Sequence, residues 1–560
     1  MKLIELIRRE STISLGKIIF IGLLAGLTQA LVLSLINAAA SENAGKEGKT
    51  FGLLLMFTAT LIGHILAQKY ILVTSTELVE GVLSSIRLRV VEKIRASELQ
   101  SFEKIGRTRI YSNVTKETVT ISQATPPIVV AAQSAIMIFF AMIYLAWLSL
   151  PVVFVTVIIS AIGISFHLVR RRERYEYMKK AHSRENDFFE LLTHLLDGFK
   201  EIKMSAARSE DLVEHLRVVS EKLEELKVRY GHQFAIHFIF SQTAFYVLIA
   251  SIVFLLPQMA QTPHEVLAKS TAAILFIIGP MTNFIGSIPS FSNANVAAEN
   301  IYKLEEELGR GHDVPTGPST EAATLWRIDA FNEIRFEKVL FNYVDDNGQP
   351  AFSLAPIDLS ISAGEIVFIV GGNGSGKSTF LKLLTGLYFP TSGRIRVDGI
   401  DLRKPDYPEY RNLFAAIFSD YHLFDRLYGV NSLYGSRGVD DQRVQELLKE
   451  MGLDSKTQWL DDHFTNLDLS TGQRKRLALL SSLLEDKPIY VFDEWAAEQD
   501  PSFRKYFYEV VLQNLKNQGK TIIVATHDEK YFHVADRVMK MEYGQFVSRK
   551  RAVRQPKGRR

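Results

Sequence analysis

Gly371–Thr379 reads GGNGSGKST. The apolar run Glu365–Val370 precedes it, and Phe380-Leu381-Lys382-Leu383-Leu384 follows. The order is strand, glycine-rich loop, helix, with G-x-x-x-x-G-K-S spanning Gly371 to Ser378. The spacing has a physical reason. Glycines let successive backbone N–H groups turn into one concavity that holds phosphate oxygens. The helix that follows adds the positive end of its dipole. Lys377 can reach the β- and γ-phosphates, and the Ser378 hydroxyl can reach Mg²⁺. Gly371, Asn373, Gly374, Ser375, Gly376, Lys377, Ser378 and Thr379 are therefore the expected nucleotide cradle. A chance glycine-rich turn is the alternative, and the flanking strand and helix argue against it.

The rest of the chain must say what such a site drives. Its 560 residues are enough for several domains, and 47% are hydrophobic, so membrane spans have to be sought. Formal net charge is only +3, which gives no bulk argument for a nucleic-acid partner. There is no cysteine, which excludes a disulfide framework, a thiolate metal site and a cysteine nucleophile.

A span needs about 20 mostly apolar residues. Six stretches of the first half qualify: Leu15–Ala39, Phe51–Val73, Pro127–Leu148, Val152–Val169, Phe234–Leu256 and Thr271–Ile288. A buried core helix is the alternative for any one of them, but not for six in succession. The connections alternate in length. Ser41–Thr50, Ser149–Pro151 and Pro257–Ser270 are short, whereas the segments after the second and fourth spans are long and basic. The first of these carries Arg87, Arg89, Lys93 and Arg95, and the second opens with Arg170, Arg171, Arg172 and Arg174. The positive-inside rule places both long segments and both termini in the cytoplasm. Within them Leu191, Leu195 and Phe199, and Leu212, Leu216 and Val219, recur at helical spacing. Helices continuing out of the membrane are expected, with turns near Ser101–Ile110 and Leu196–Ala207 suited to contact an ATPase domain. Intramembrane polar residues are few and uncharged: His64, Gln133, His237, Gln242 and Asn283. Interhelical hydrogen bonds account for such residues more readily than ligand contacts do. With no mid-span Asp or Glu, a proton relay has no support.

Gly309–Ala330, rich in Gly, Pro and charge, reads as a linker. Strand-like alternation begins at Ile334, and Tyr343 stands where an aromatic ring could stack on adenine. Leu469-Ser470-Thr471-Gly472-Gln473 leads directly into the helical run Arg474–Leu484, so Ser470 and the first N–H groups make a second anion site. Ile489-Tyr490-Val491-Phe492 ends in Asp493-Glu494. A carboxylate at the end of such a strand can hold Mg²⁺, and its neighbour can orient and deprotonate a water. Asp500 lies in the next turn. The strand Thr521–Ala525 ends in Thr526-His527-Asp528, where His527 could contact the γ-phosphate.

On these residues the second half, about Asn332–Ser548, resembles an ABC-transporter nucleotide-binding domain. Gly371–Thr379 matches Walker A, LSTGQ the signature motif, IYVFDE Walker B, Asp500 the D-loop aspartate, His527 the switch histidine and Tyr343 the A-loop aromatic. The six spans with long extensions resemble the type IV exporter transmembrane domain. Asp493–Tyr508, DEWAAEQDPSFRKYFY, together with Asp528–Phe532 and Ala535–Arg537, resembles the cyclic-peptide exporter family of syringomycin- and pyoverdine-type exporters. The resemblance implies a multidomain membrane protein: a six-helix transmembrane domain over residues 1–308, a linker over 309–330, an α/β P-loop domain over 331–548 and a basic tail over 549–560. It also implies ATP and Mg²⁺ as cofactors and a bacterial inner-membrane location. The signature motif of one copy would complete the Walker A site of a second copy, so a homodimer is expected. Glu494 and His527 would be catalytic. Tyr343, the loop, Ser470, Thr471, Gly472, Gln473 and Asp500 would hold nucleotide, and Ser378 and Asp493 the metal.

The chain departs from the general pattern in three places. The Q-loop glutamine is replaced by Ser419, which leaves Ser419 as a short candidate metal ligand. Thr471 stands where glycine is usual. The stretch Asp461–Asp468 is short and lacks a glycine-rich cross-linking loop. The expected function is ATP-driven export of a peptide-type compound by alternating access. A lipid or multidrug translocator, a nucleotide-gated channel and an importer are the alternatives. The basic tail is expected to be a solvated end rather than a nucleic-acid contact, with contact to anionic lipid as an alternative.

Overall fold

The structure is a computed structural model and describes residues 2–10, 15–41, 47–169, 171–259, 263–310, 330–344, 349–430 and 440–551. The expected linker lies almost wholly outside them. Gly309 belongs to the preceding helix, Ile288–Arg310. Contacts divide the chain into two units, Met1–Ser97 with Ser101–Gly311, and Glu98–Gln100 with His312–Arg560.

The first unit is helical. Each of the six apolar stretches falls on helix: Leu15–Ser41, Glu47–Ala96, Thr118–Leu148, Leu150–Val169, Ala206–Ala250 and His264–Gly286. Among the described residues, four helical runs are long and apolar enough to cross a bilayer, and Phe20–Ile36 and Leu150–Gly163 are shorter apolar helices. Burial separates these from soluble core helices. Phe51, Leu54, Leu55, Met56, Ile62 and Leu66 all point outward, and none of the most apolar window of their helix is buried. In water such a stripe would be costly, whereas in lipid it is the solvated face.

The spans differ from the sequence expectation at their ends. The third begins upstream of Pro127: the helix runs from Thr118 with Pro126 and Pro127 inside it, and a π turn, Asn113–Glu117, precedes it. The fifth passes through a π turn, Ser251–Leu255, into Leu256–Met259. The two expected turns are short helices, Leu99–Ile105 with Arg107–Ser112, and Phe199–Met204. The extensions are helices, and Val219 is buried on the face that Leu212 and Leu216 share. Outside the apolar windows, buried Glu305 and half-buried Glu185 are paired with cations. Glu305 meets Arg89 at 2.8 Å and Lys93 at 3.5 Å, and Glu185 meets Lys116 at 2.8 Å and Lys227 at 3.1 Å. His64 Nδ1 lies 3.3 Å from both Thr28 Oγ1 and the Ala25 carbonyl, the interhelical bond expected of it.

The second unit holds a six-stranded sheet in the order Gln545–Arg551, Arg537–Glu542, Ile366–Val370, Thr521–Ala525, Ile489–Asp493, Phe414–Ile417. All neighbours are parallel except the edge pair, Arg537–Glu542 with Gln545–Arg551. Residues alternate between two buried layers: Ile366, Phe368, Tyr490 and Phe492 enter one, and Val367, Ile369, Ile489 and Val491 the other. That is why these strands read as continuous apolar runs. A four-stranded antiparallel sheet, Pro350–Ser362, Glu333–Val344, Ser392–Val397, Ile400–Asp401, supplies more of the second layer. The edge strand corrects the expected tail: residues 549–551 are paired β-structure, because Arg551, Lys550 and Arg549 register against Arg537, Val538 and Met539. The remainder of the tail, 552–560, lies outside the described residues.

Candidate active site

In the central sheet, parallel strands bring the ends of three motifs to one edge. Val370 leads into the glycine loop, and Asp493 and Ala525 are partners in the ladder, so Glu494 and Thr526 leave the sheet side by side. The Glu494 N–H donates to the Ala525 carbonyl at 3.0 Å and the Thr526 N–H to the Ile369 carbonyl at 3.0 Å.

The loop needs glycine where backbone meets backbone. A Cβ on Gly371 would lie 2.2 Å from the Met541 carbonyl oxygen. Gly376 is left-handed at φ 103° and caps the helix Lys377–Leu384, which starts at the lysine as the motif requires. Ser375 and Lys377 are buried, whereas Gly372, Asn373, Gly374 and Ser378 are exposed and Thr379 is half-buried. Lys377 Nζ donates to the Gly371 and Gly372 carbonyls at 3.0 and 3.2 Å, and lies 3.3 Å from Glu494 Oε1 and 3.2 Å from His527 Nε2. His527 Nε2 is 2.9 Å from Glu494 Oε1. Loop lysine, strand-end glutamate and histidine, distant in sequence, therefore form one cluster.

The two adjacent carboxylates have opposite electrostatics. Burial pushes the Asp493 carboxyl above its ordinary pKa, and Glu494 adds to this; the neighbouring Ser378 hydroxyl, the Lys377 charge and the Ser419 backbone only partly offset it. Neither Asp493 oxygen has a partner at full hydrogen-bond geometry. A buried carboxylate so placed, beside a serine hydroxyl, fits a hard divalent cation with oxygen ligands. Burial also pushes Glu494 up, but the His527 hydrogen bond and the Lys377 charge outweigh it, and its pKa falls below the ordinary value. Glu494 is thus ionised at neutral pH, as a base must be.

Glu494 has a further peculiarity, a left-handed backbone at φ 50°, ψ 33°. For a residue with a Cβ this costs about 1–2 kcal/mol. It turns the chain out of the strand into the 3₁₀ turn Trp495–Glu498.

Ser470 is the N-cap of the helix Thr471–Leu484, and its side chain and that of Gln473 form a capping box. Thr471 is exposed on the first helical turn, so its side chain has room. At Gly472 an added Cβ would lie 3.1 Å from the Glu498 carbonyl, so this position is tight where that of Thr471 is open. Asp500 caps the helix Pro501–Tyr506 and pairs with Arg476, and hydrogen bonds from Ser502 and Phe503 hold its pKa at about 2. Tyr343 is half-buried; its hydroxyl donates to the Tyr388 hydroxyl at 2.9 Å and its ring packs edge-on against Phe341. Ser419 is exposed, two residues past a strand whose Ile417 registers with Phe492, which brings its backbone to Asp493.

The sequence reading missed a second group of residues. Lys475 is buried and donates to the Glu494 carbonyl; Gln499 donates to the Gly472 carbonyl; Arg476 donates to Gln499. Arg504 reaches the Ala497 and Gln499 carbonyls and pairs with Asp528 beside His527. The available signal was a lysine on the buried face of an apolar helix, in phase with Leu479.

Comparison with known proteins agrees with this geometry. The family pattern described as ABC transporter matches residues 354–497, and the ABC transporter transmembrane region matches residues 15–281. The chain is 30% identical over 536 residues to the ATP-binding protein SyrD of Pseudomonas syringae pv. syringae, covering 94% of this chain and 92% of SyrD. The chain belongs to the ABC transporters. This family member is also similar to an ATP-dependent lipid A-core flippase of Ralstonia nicotianae, 33% identical over 54% of this chain and 50% of the flippase. To the subtilin transport ATP-binding protein SpaT of Bacillus subtilis it is 24% identical, over 82% of this chain and 76% of SpaT. A solved bacterial Atm1-family ABC exporter with ATP bound superposes with a TM-score of 0.77 at 17% identity, covering 98% of this chain and 95% of that one. The fold is that of a type IV exporter, a multi-pass membrane protein whose ATPase is coupled to transport.

Proposed function

We propose that this ABC exporter moves a peptide-type compound, such as a cyclic peptide, peptide siderophore precursor or peptide antibiotic, outward across a bacterial inner membrane. The observation that carries this reading is the end-to-end similarity to SyrD, joined to the DEWAAEQDPSFRKYFY resemblance at Asp493–Tyr508. The similarity to a protein named for subtilin transport supports it. Two identical chains work together, with nucleotide domains and termini in the cytoplasm. The Walker A loop of one copy faces LSTGQ of the other, so ATP joins the domains and hydrolysis releases them.

In each site Gly371–Thr379 cradles the phosphates and Tyr343 faces the adenine. Glu494 takes a proton from the attacking water, and His527 orients it and the γ-phosphate. Asp493 and Ser378 would hold Mg²⁺, with the Ser419 position contributing at most through its short side chain or a water. The ion, when bound, neutralises charge on the phosphates. The short helices at Leu99–Ser112 and Phe199–Met204 pass the nucleotide cycle to the spans.

The test is turnover and transport by the purified protein in lipid vesicles. ATP-dependent uptake of a cyclic peptide into inverted vesicles, lost in Glu494→Gln while ATP binding persists, is the expected result. Unchanged ATPase in Glu494→Gln would remove that residue as base. The flippase similarity favours a second reading, lipid translocation, and labelled-lipid movement without peptide uptake would establish it instead.

A further inference from the structure

The signature helix is tied to the general-base residue within the same chain, and one side chain makes the tie. Lys475 lies one turn into Thr471–Leu484 and is only 5% exposed. Its ammonium donates to the Glu494 backbone carbonyl at 3.1 Å and pairs with Glu498 at 3.3 Å. Its own carbonyl accepts from Trp495 Nε1 at 2.9 Å. Lys475 thus bonds to the Glu494 carbonyl and to the Trp495 indole, where the chain adopts the left-handed turn.

A buried ammonium needs a strong acceptor, and a non-glycine residue in left-handed conformation persists only where its surroundings hold it. Each requirement meets the other here. The Glu494 carbonyl also accepts from the Ala497 N–H at 3.3 Å, a weak closing bond of the 3₁₀ turn. We propose that Lys475 is a positioning residue for ATP hydrolysis: it fixes the Glu494 backbone so that the carboxylate faces the Lys377–His527 cluster, and it links that orientation to the N-terminus of the signature helix. Ser470 and Gln473, which open that helix, are the residues proposed to meet nucleotide held by the second copy.

This inference rests on Glu494 as the base. The full-length protein in lipid is assayed with Lys475→Met, Lys475→Arg and each change combined with Glu494→Gln. Misplacing a reacting group by about 1 Å costs about 100-fold, so Lys475→Met should lower kcat about 30- to 100-fold, with KM for ATP within about twofold. Lys475→Arg, which restores a buried cation, should recover kcat to within about fivefold. In the Glu494→Gln background Lys475→Met should change the residual rate by less than about twofold, because it acts through a group already removed. An equal loss in both backgrounds, or KM rising in step with the fall in kcat, would make Lys475 a structural residue and overturn the proposal. So would a Met variant with normal kcat. Should Lys475→Met not fold, Lys475→Gln carries the same comparison. Turnover surviving in Glu494→Gln alone is a separate result and overturns the base assignment instead.

Discussion

The nucleotide unit buries its charges and the membrane unit keeps charge out of its apolar windows. In the first, Lys377, Lys475 and Asp493 are each at least 95% removed from solvent, and all three stand within one constellation around Glu494. In the second, the buried carboxylates Glu117 and Glu305 belong to the extensions, bonded to Asn300 and to Arg89 and Lys93. Buried polar groups of the spans include the hydroxyls of Ser134, Thr156 and Ser241. Burying charge is expensive, so it is retained where chemistry needs it. Hydrolysis demands a few groups at fixed distances. Passage of a cargo demands a shape, which many apolar side chains can share.

That contrast can be broken by mutation. Asp493→Asn should lower ATP turnover at least about 100-fold, as expected when an electrostatic contact at the transferring phosphate is lost. The same change should raise the thermal midpoint in metal-free buffer by about 2–4 °C, since it removes a carboxylate that burial disfavours. The sign follows from its raised pKa. The folded state binds a proton more readily than the unfolded chain, so ionisation costs stability as pH rises from the unfolded value through the folded one. Glu494 behaves oppositely: its lowered pKa contributes stability above the unfolded value, lost as pH falls through the folded one. A metal-free pH–stability profile should therefore flatten at its acidic end differently in Asp493→Asn and Glu494→Gln. Parallel profiles would erase the distinction between the two carboxylates.

Gly371→Ala should come next in size. The new methyl would strike the Met541 carbonyl, and overpacking of this kind costs about 1–3 kcal/mol. Nucleotide binding measured by fluorescence should weaken at least about tenfold. The smallest effect is expected in the membrane. Thr28→Val removes the hydroxyl beside His64, and interhelical bonds of this type average about 0.6 kcal/mol. Transport in vesicles should change by less than about twofold. A loss comparable with that of Asp493→Asn would show that the spans also rely on single polar contacts.

The same contrast explains what could be read from the chain. The glycine loop, Asp493-Glu494, His527 and the signature sequence each have a spacing that the proposed nucleotide site requires, and they were legible. The strands were legible because both faces are buried. The span ends were not, because lipid accepts helix on either side of an apolar run: Pro127, where the third span was expected to begin, sits with Pro126 inside a helix. The edge strand through Arg551 was hidden by its composition, since basic residues that read as a solvated tail are tolerated on a sheet edge. Lys475, Arg476 and Arg504 escaped because they bond to carbonyls, and a carbonyl has no letter in the sequence.

The helix Glu47–Ala96 is 50 residues without a break. At 1.5 Å per residue it is about 75 Å long, and a hydrocarbon core takes up only about 30 Å of such a rod. It is a lever whose longer arm lies outside the bilayer. A tilt of about 5° displaces one end relative to the other by about 6 Å over that length. Small rotations among the spans and large excursions at the far tip are the same motion, seen from opposite ends of one rod.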